Sequence, residues 1–175
     1  MSLAAKSLLL IAVLGLAACN NPDRYGAGGA GGAGGAGGAG GIDTTGLGDP
    51  NNPTSIAYFN QTVGDRVLFA VDQSTISPEG RGVLTAQANW LNQNTGYAAI
   101  IEGHADEQGT REYNLALGAR RAAAVQNFLI SQGVAANRLR TISYGKERPL
   151  EVCSSETCYA KNRRAVTVLS AGAGV

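Results

Sequence analysis

Asp106, Asn114 and Arg121 are the residues whose types and spacing ask for a chemical explanation. The stretch opening at Thr110 and running to about Gln132 reads as a helix, and its inward stripe passes through Leu117, Ala124, Val125 and Phe128 at spacings of three, four and seven. Asn114 and Arg121 fall on that same stripe. An amide and a guanidinium aimed at the apolar side need partners, because an unpaired buried charge is costly. Asp106, just ahead of the helix, is the obvious candidate partner, and the free amides of the helix start favour an anion beside it. Paired in this way, the two would form a structural ion pair that orders the helix start.

Catalysis finds less support. A glycoside hydrolase using Asp106 with Glu102 or Glu107 needs one carboxyl with a raised pKa and a second at the right distance. Nothing in the sequence singles out such an acid in an apolar pocket, and no serine or cysteine nucleophile sits with a base. His104 is the single histidine, and a metal site needs several suitable ligands converging on it. His104 is therefore expected to be a satisfied loop or core histidine, with no catalytic residue, metal or cofactor implied. Trp90 and the tyrosines are assigned to packing.

The elements that would position these residues are legible around them. Arg66 to Val71 is a short apolar run rich in β-formers, hence a buried strand. Ser77-Pro78-Glu79 supplies a cap, a proline at the first helical position and an acid in the first turn, and Val83, Leu84, Ala88 and Leu91 follow at helical spacing to about Asn94. Tyr97 to Glu102 reads as a second strand, leading into Gly103-His104-Ala105-Asp106 and a loop to Thr110. Thr110 caps the second helix and Gly133 closes it. Leu139 to Tyr144 and Ala165 to Leu169 read as the third and fourth strands. The order predicts an α+β domain, β-α-β-α-β-β, with a mixed four-stranded sheet, helices packed on one face, and the first two strands parallel through a crossover.

Ahead of this domain the composition changes twice. Residues 1–18 hold Lys6, an apolar run from Leu8 to Leu16 and small residues before Cys19, the layout of a cleaved export signal. The run is too short to span a bilayer, which takes about 20 apolar residues. Leu16-Ala17-Ala18-Cys19 resembles the lipobox of bacterial lipoproteins over all four positions. That resemblance implies a diacylglycerol on Cys19, cleavage before it and N-acylation after it, and Asn20 in the next position favours the outer membrane. Each buried methylene contributes about 0.8 kcal/mol, so a triacylated cysteine should stay in the membrane. From Ala27 to Gly41 the sequence is Ala-Gly-Gly repeated five times, a tract that cannot bury enough apolar surface to offset the entropy of ordering. With its flanks it makes a leash over 19–53, reaching at most ~120 Å and relaxing to ~35 Å; the folded domain is expected over 54–175.

With Cys19 committed to lipid, Cys153 and Cys158 remain in an oxidising compartment and read as a disulfide. Their spacing does not match thioredoxin-like motifs, and no second pair of metal ligands accompanies them. The chain has 14 Lys and Arg, one of them Lys6 in the export segment, against 13 Asp and Glu. That balance argues against nucleic acid as a partner.

Glu102 to Val125, EGHADEQGTREYNLALGARRAAAV, resembles the signature of OmpA-like peptidoglycan-binding domains. Asp106, Gly109, Asn114, Leu117, Arg121 and Ala122 fall on its pattern, with Gly118 a departure where many members carry serine. Asn162-Arg163-Arg164 matches the closing motif, Phe69 with Asp72 resembles the opening one, and the likeness covers roughly Arg66 to Leu169. The resemblance implies an OmpA-like sandwich fold and non-covalent binding of the diaminopimelate residue of the peptidoglycan stem peptide. By the same carry-over Asp106 takes the ligand's ammonium and Arg121 forks onto its carboxylate in the two-point geometry a guanidinium favours. Asp72 and the backbone amides around Gly109 and Thr110 complete the pocket, and Asn114 holds the loop after the second strand in shape. Whether Asn162, Arg163 and Arg164 touch ligand or end a short helix stays open. The implied partners are peptidoglycan, the outer membrane through the anchor, and the periplasmic protein TolB with its associated components. The alternative class is a protein-interaction module with no wall contact of its own.

Overall fold

The structure, a computed structural model, describes residues 47–172. The export segment, Cys19 and the Ala-Gly-Gly tract lie outside the described residues. A one-turn helix α1 (Ile56–Tyr58) runs into a π-helical turn (Phe59–Gly64), followed by β1 (Arg66–Leu68), α2 (Pro78–Gln93), β2 (Tyr97–His104) and α3 (Arg111–Ser131). A 3-10 turn (Ala136–Arg138), β3 (Leu139–Gly145), α4 (Glu156–Asn162) and β4 (Arg164–Ala171) complete it.

Helix ends are set by local chemistry. The Ser77 side chain accepts from the Gly80 amide at 3.1 Å, with Pro78 the first helical residue. Thr110 Oγ1 likewise accepts from the Tyr113 amide at 3.2 Å. Past α3, Gly133 takes a φ of 92° that other residues adopt only with strain, and this lets the Val134 amide turn back to the Leu129 carbonyl.

The sheet has the order β1-β4-β2-β3. β2 and β3 pair in parallel, Ile101 opposite Thr141, and α3 makes the crossover between them. β4 runs antiparallel to both its neighbours, so β1 and β2 point the same way, as the α2 crossover implies, but β4 lies between them. Helices α2 and α3 cover one face over a core that includes Phe59, Leu84, Leu91, Ile101, Val125 and Leu129. On the other face Ile100 and Val168 stay exposed.

This one-sided cover corrects the expectation of a buried first strand reaching Val71. Val67 and Phe69 are buried, but Leu68 is 52% and Val71 54% exposed, and the strand ends at Leu68. The Phe69 amide adds one more bond, to the Arg163 carbonyl, after which the chain turns with Gln73 N–H donating to the Ala70 carbonyl. The α3 stripe is also turned slightly from its expected face: Ala122 and Leu129 are buried, whereas Ala124 and Phe128 are only partly so. The segment before β1 carried no sequence signal, yet it closes one end of the core. Phe59 packs on Trp90 at 5.0 Å between ring centroids, and Trp90 on Tyr97 at 5.1 Å. Trp90 Nε1 donates to the Pro53 carbonyl and the Tyr97 hydroxyl to that of Thr54, both at 2.7 Å. Leu47 also packs on the core, so folded contacts begin within the stretch read as leash.

One contact sets how near α3 lies to the sheet. A Cβ on Gly103 would stand 1.8 Å from the Gly118 carbonyl oxygen, and one on Gly118 would stand 2.8 Å from the Gly103 carbonyl oxygen and 2.4 Å from Ser143 Oγ. Backbone meets backbone there, so no rotamer relieves the clash, and the serine common at position 118 in the resembling family is excluded while Ser143 stays in place. Gly103→Ala is expected to destabilise the domain by about 1–3 kcal/mol, the usual cost of overpacking. Chemical denaturation would read this directly, and a loss within experimental error would show that α3 can retreat freely.

Candidate functional site

The loop between β2 and α3 shapes a cleft of about 220 Å³ lined by Val71, Asp72, Asp106, Gln108, Gly109, Tyr113, Asn114 and Leu117. Five of the residues singled out in the sequence, Asp72, Asp106, Gly109, Asn114 and Leu117, therefore share one wall-to-wall space. Thr110 stands at its edge as the cap of α3. Gly109 turns the loop at a φ of 92°, and Asn114 Nδ2 donates to the Gln108 carbonyl at 2.7 Å, which fixes the loop to the helix. Asp72 adopts a φ of 57°, the only non-glycine to do so among the described residues, and its carboxylate accepts from the Tyr113 hydroxyl across the cleft.

Arg121 is not in the cleft lining. It is fully buried beneath it, with Nε donating to the Gln73 carbonyl at 2.8 Å, Nη1 to His104 at 2.8 Å and Nη2 to Ala70 at 3.1 Å. Its guanidinium also lies 5.2 Å from the centre of the Phe69 ring. Burial pushes its pKa down to about 10, and the charge of nearby Asp106 pulls the other way. Three of a guanidinium's five N–H donors are engaged, which leaves one on each terminal nitrogen.

The expected pairing of Asp106 with Arg121 is replaced by another. Asp106 Oδ2 accepts from Arg163 Nη1 at 3.1 Å, while Oδ1 accepts from the Gln108 amide at 3.3 Å. Arg163 Nε donates to the Phe69 carbonyl and Nη2 to Glu156. The reason is topological: β4 runs antiparallel to β2 with Ala165 opposite Gly103, so the residue that precedes β4 arrives beside the β2–α3 loop. Asn162 and Arg163 do end the short helix α4, and Arg164 Nη2 donates to the Arg148 carbonyl at 3.2 Å. Cys153 and Cys158 are bonded, with Cα atoms 5.9 Å apart, which joins the segment before α4 to the helix itself.

Tyr113, Gln108 and Val71 were missed as lining residues. Tyr113 had a usable signal, since it stands four residues before Leu117 and next to Asn114 and so shares their edge of the helix. His104 departs from expectation differently. It is buried, but neither ring nitrogen has a hydrogen-bond partner among the described residues. Burial, then the charges of Arg164 and Arg148, push its pKa down to about 4, outweighing Glu102, whose Oε2 lies 3.5 Å from Nε2. Among the described residues no group of three or more His, Cys, Asp or Glu side chains is placed to hold a metal ion, and no helix is long and apolar enough to cross a membrane.

Residues 68–163 match the model of the OmpA family. The peptidoglycan-associated lipoprotein of Mesorhizobium japonicum is 59% identical over 122 residues, covering 70% of this chain and 72% of that protein. The peptidoglycan-associated lipoprotein of Haemophilus influenzae is 38% identical over 162 residues, covering 92% and 95%. Among solved structures, the peptidoglycan-associated lipoprotein from Burkholderia pseudomallei superposes with a TM-score of 0.62 at 35% identity, covering 70% of this chain and all of that one.

Two tests follow from the buried basic side chains Arg121 and His104. Lysine at position 121 cannot reach three carbonyls at once, and hydrogen bonds to a charged group contribute about 1.5–3 kcal/mol each. Arg121→Lys should therefore lower the unfolding free energy by about 3 kcal/mol or more, and a change near zero would mean that the turn after β1 does not depend on it. For His104, the folded-state pKa lies below the ordinary 6.5, so the unfolded chain binds the proton more readily. Stability is then full above about pH 6.5 and falls by up to about 3 kcal/mol as pH drops towards 4. Denaturant midpoints at pH 7 and pH 4.5 should differ less in His104→Leu than in the natural chain, and equal differences would exclude His104 as the cause.

Proposed function

The chain belongs to the OmpA family, and on that footing we propose that its cleft binds peptidoglycan non-covalently, through the diaminopimelate residue of the stem peptide. The single observation that carries this reading is the gathering of Asp72, Asp106, Gly109, Asn114 and Leu117 around one cleft. Diaminopimelate ends in an ammonium and a carboxylate. The Asp106 and Asp72 carboxylates suit the ammonium, the amides of the Gly109–Thr110 turn suit the carboxylate, and the buried Arg121 adds positive charge nearby without lining the cleft. Leu117 and Val71 provide apolar cover for the methylene stem. Binding of this kind needs no chemical step, and the protein is a binding module rather than an enzyme, as its family is.

The relatives named above, one of them matching over 92% of this chain, support a wider role. The chain is a lipoprotein held in the outer membrane through lipid on Cys19, with the leash letting the domain reach the wall. It works with TolB and other components of the Tol-Pal system in envelope integrity and in constriction during cell division.

Calorimetric titration of the unit from Gly38 to Val175, which holds the whole hydrophobic core, with a diaminopimelate-containing muropeptide tests the central reading. Asp106→Ala removes one charged partner and should weaken binding by about tenfold or more. A folded variant that binds as the natural chain does would move the ligand away from this cleft.

A further inference from the structure

The loop that carries Asp106 to Thr110 is gripped from outside the cleft by one amide. Asn162, at the end of α4, is fully buried. Its Oδ1 accepts from the backbone amides of Leu150 at 2.7 Å and Glu151 at 3.1 Å. Its Nδ2 donates to the Glu151 carbonyl at 2.8 Å and to Glu107 Oε1 at 2.6 Å. An asparagine amide offers two donors and two acceptor positions, so all of its capacity is used. Three of the bonds tie it to the Leu150–Glu151 segment, which runs directly into Cys153, and the bond to Cys158 returns that segment to α4. The fourth crosses to the residue after Asp106.

Among the described residues that fourth bond is the sole hydrogen bond of the Glu107 carboxylate, because its Oε2 is buried without a hydrogen-bond partner. The arrangement is a double grip: consecutive residues Asn162 and Arg163 hold consecutive residues Glu107 and Asp106. Lys146 closes the loop from the other side, donating to the Gly109 carbonyl at 2.7 Å. A loop whose amides must meet a ligand's carboxylate gains affinity when it is already ordered before the ligand arrives.

We propose that Asn162 is a positioning residue for the wall ligand. Through Glu107 it fixes the loop from Asp106 to Thr110, and the Cys153–Cys158 bond keeps the Leu150 and Glu151 amides where they hold Asn162 itself. The proposal rests on the reading of the cleft as the peptidoglycan site, and it adds to that site a brace built from the closing sequence motif and the disulfide.

Glu107→Ala is the sharpest variant, since it cuts the link to the loop and leaves the other three bonds of Asn162 intact; Glu107→Gln keeps an acceptor at Oε1. In the Gly38–Val175 unit, Glu107→Ala and Asn162→Ala are each expected to weaken muropeptide binding by about tenfold. The double variant should lose no more than either single one, and Glu107→Gln should bind within about twofold of the natural chain. The Cys153→Ser/Cys158→Ser pair should also weaken binding, by less. Amide hydrogen exchange at Gln108 and Gly109, read without ligand, should quicken in both alanine variants while Ile101 in the core keeps its protection. Additive losses, or unchanged binding and exchange in folded Glu107→Ala, would overturn the proposal. If the natural chain binds no muropeptide, the cleft reading falls instead, and exchange at Gln108 and Gly109 alone decides whether Asn162 holds the loop.

Discussion

Arg121, on α3, donates to three backbone carbonyls at once: those of Ala70 and Gln73 in the turn after β1, and that of His104 where β2 ends. A buried charge is expensive, and several contributions offset it here: the hydrogen bonds themselves, the face of Phe69 and the nearby charge of Asp106. Because the charge is already buried, its donors have no competing water, and the turn at Ala70–Gln73 is held to the helix that forms the other side of the cleft. The position of Asp72, its left-handed backbone and its contact with Tyr113 all follow from that turn. The cleft is therefore a consequence of how a guanidinium is satisfied in the interior.

The second constraint is steric. Gly103 and Gly118 let the helix backbone touch the strand backbone, which brings Leu117, the residue before Gly118, and Asn114, one turn earlier on α3, level with the loop that leaves β2. A larger residue at either position would lift the helix and widen the cleft. On the far side, the grip of α4 on Asp106 and Glu107 sets the loop's remaining freedom. Three separate parts of the chain thus converge on a loop of a few residues, and none of them is rigid enough to define it alone.

Much of this was legible in the residues. Caps, breaks and periodicity gave Ser77, Thr110 and Gly133 as helix boundaries and the four strands in order, because each signal acts within a few residues. The polar pair Asn114 and Arg121 on an apolar stripe marked the site for the same reason: a local pattern was violated. Pairing was less accessible. Nothing near β4 says that it lies between β1 and β2, so the match of Asp106 with Arg163 instead of Arg121 could not be read from spacing. The same holds for α1 and its π-helical turn, where burial of Phe59 depends on Trp90 and Tyr97, remote in sequence. Beyond Leu68, where β1 ends, Arg163 takes the Phe69 carbonyl and Arg121 those of Ala70 and Gln73, a tertiary effect that overrides β-propensity.

The order β1-β4-β2-β3 bears on when the cleft comes into being. A chain that emerges amino end first presents β1, α2, β2 and α3 early, but the strand that joins β1 to β2 comes last, and with it Asn162 and Arg163. Until then β1 has no strand partner, Asp106 lacks its ion pair with Arg163 and the Glu107 loop has no brace. Loop closure between residues as distant as Phe69 and Arg163 must be completed before the non-local contacts repay it. The loop beside the cleft thus owes its geometry to the part of the domain that is furthest from it in sequence.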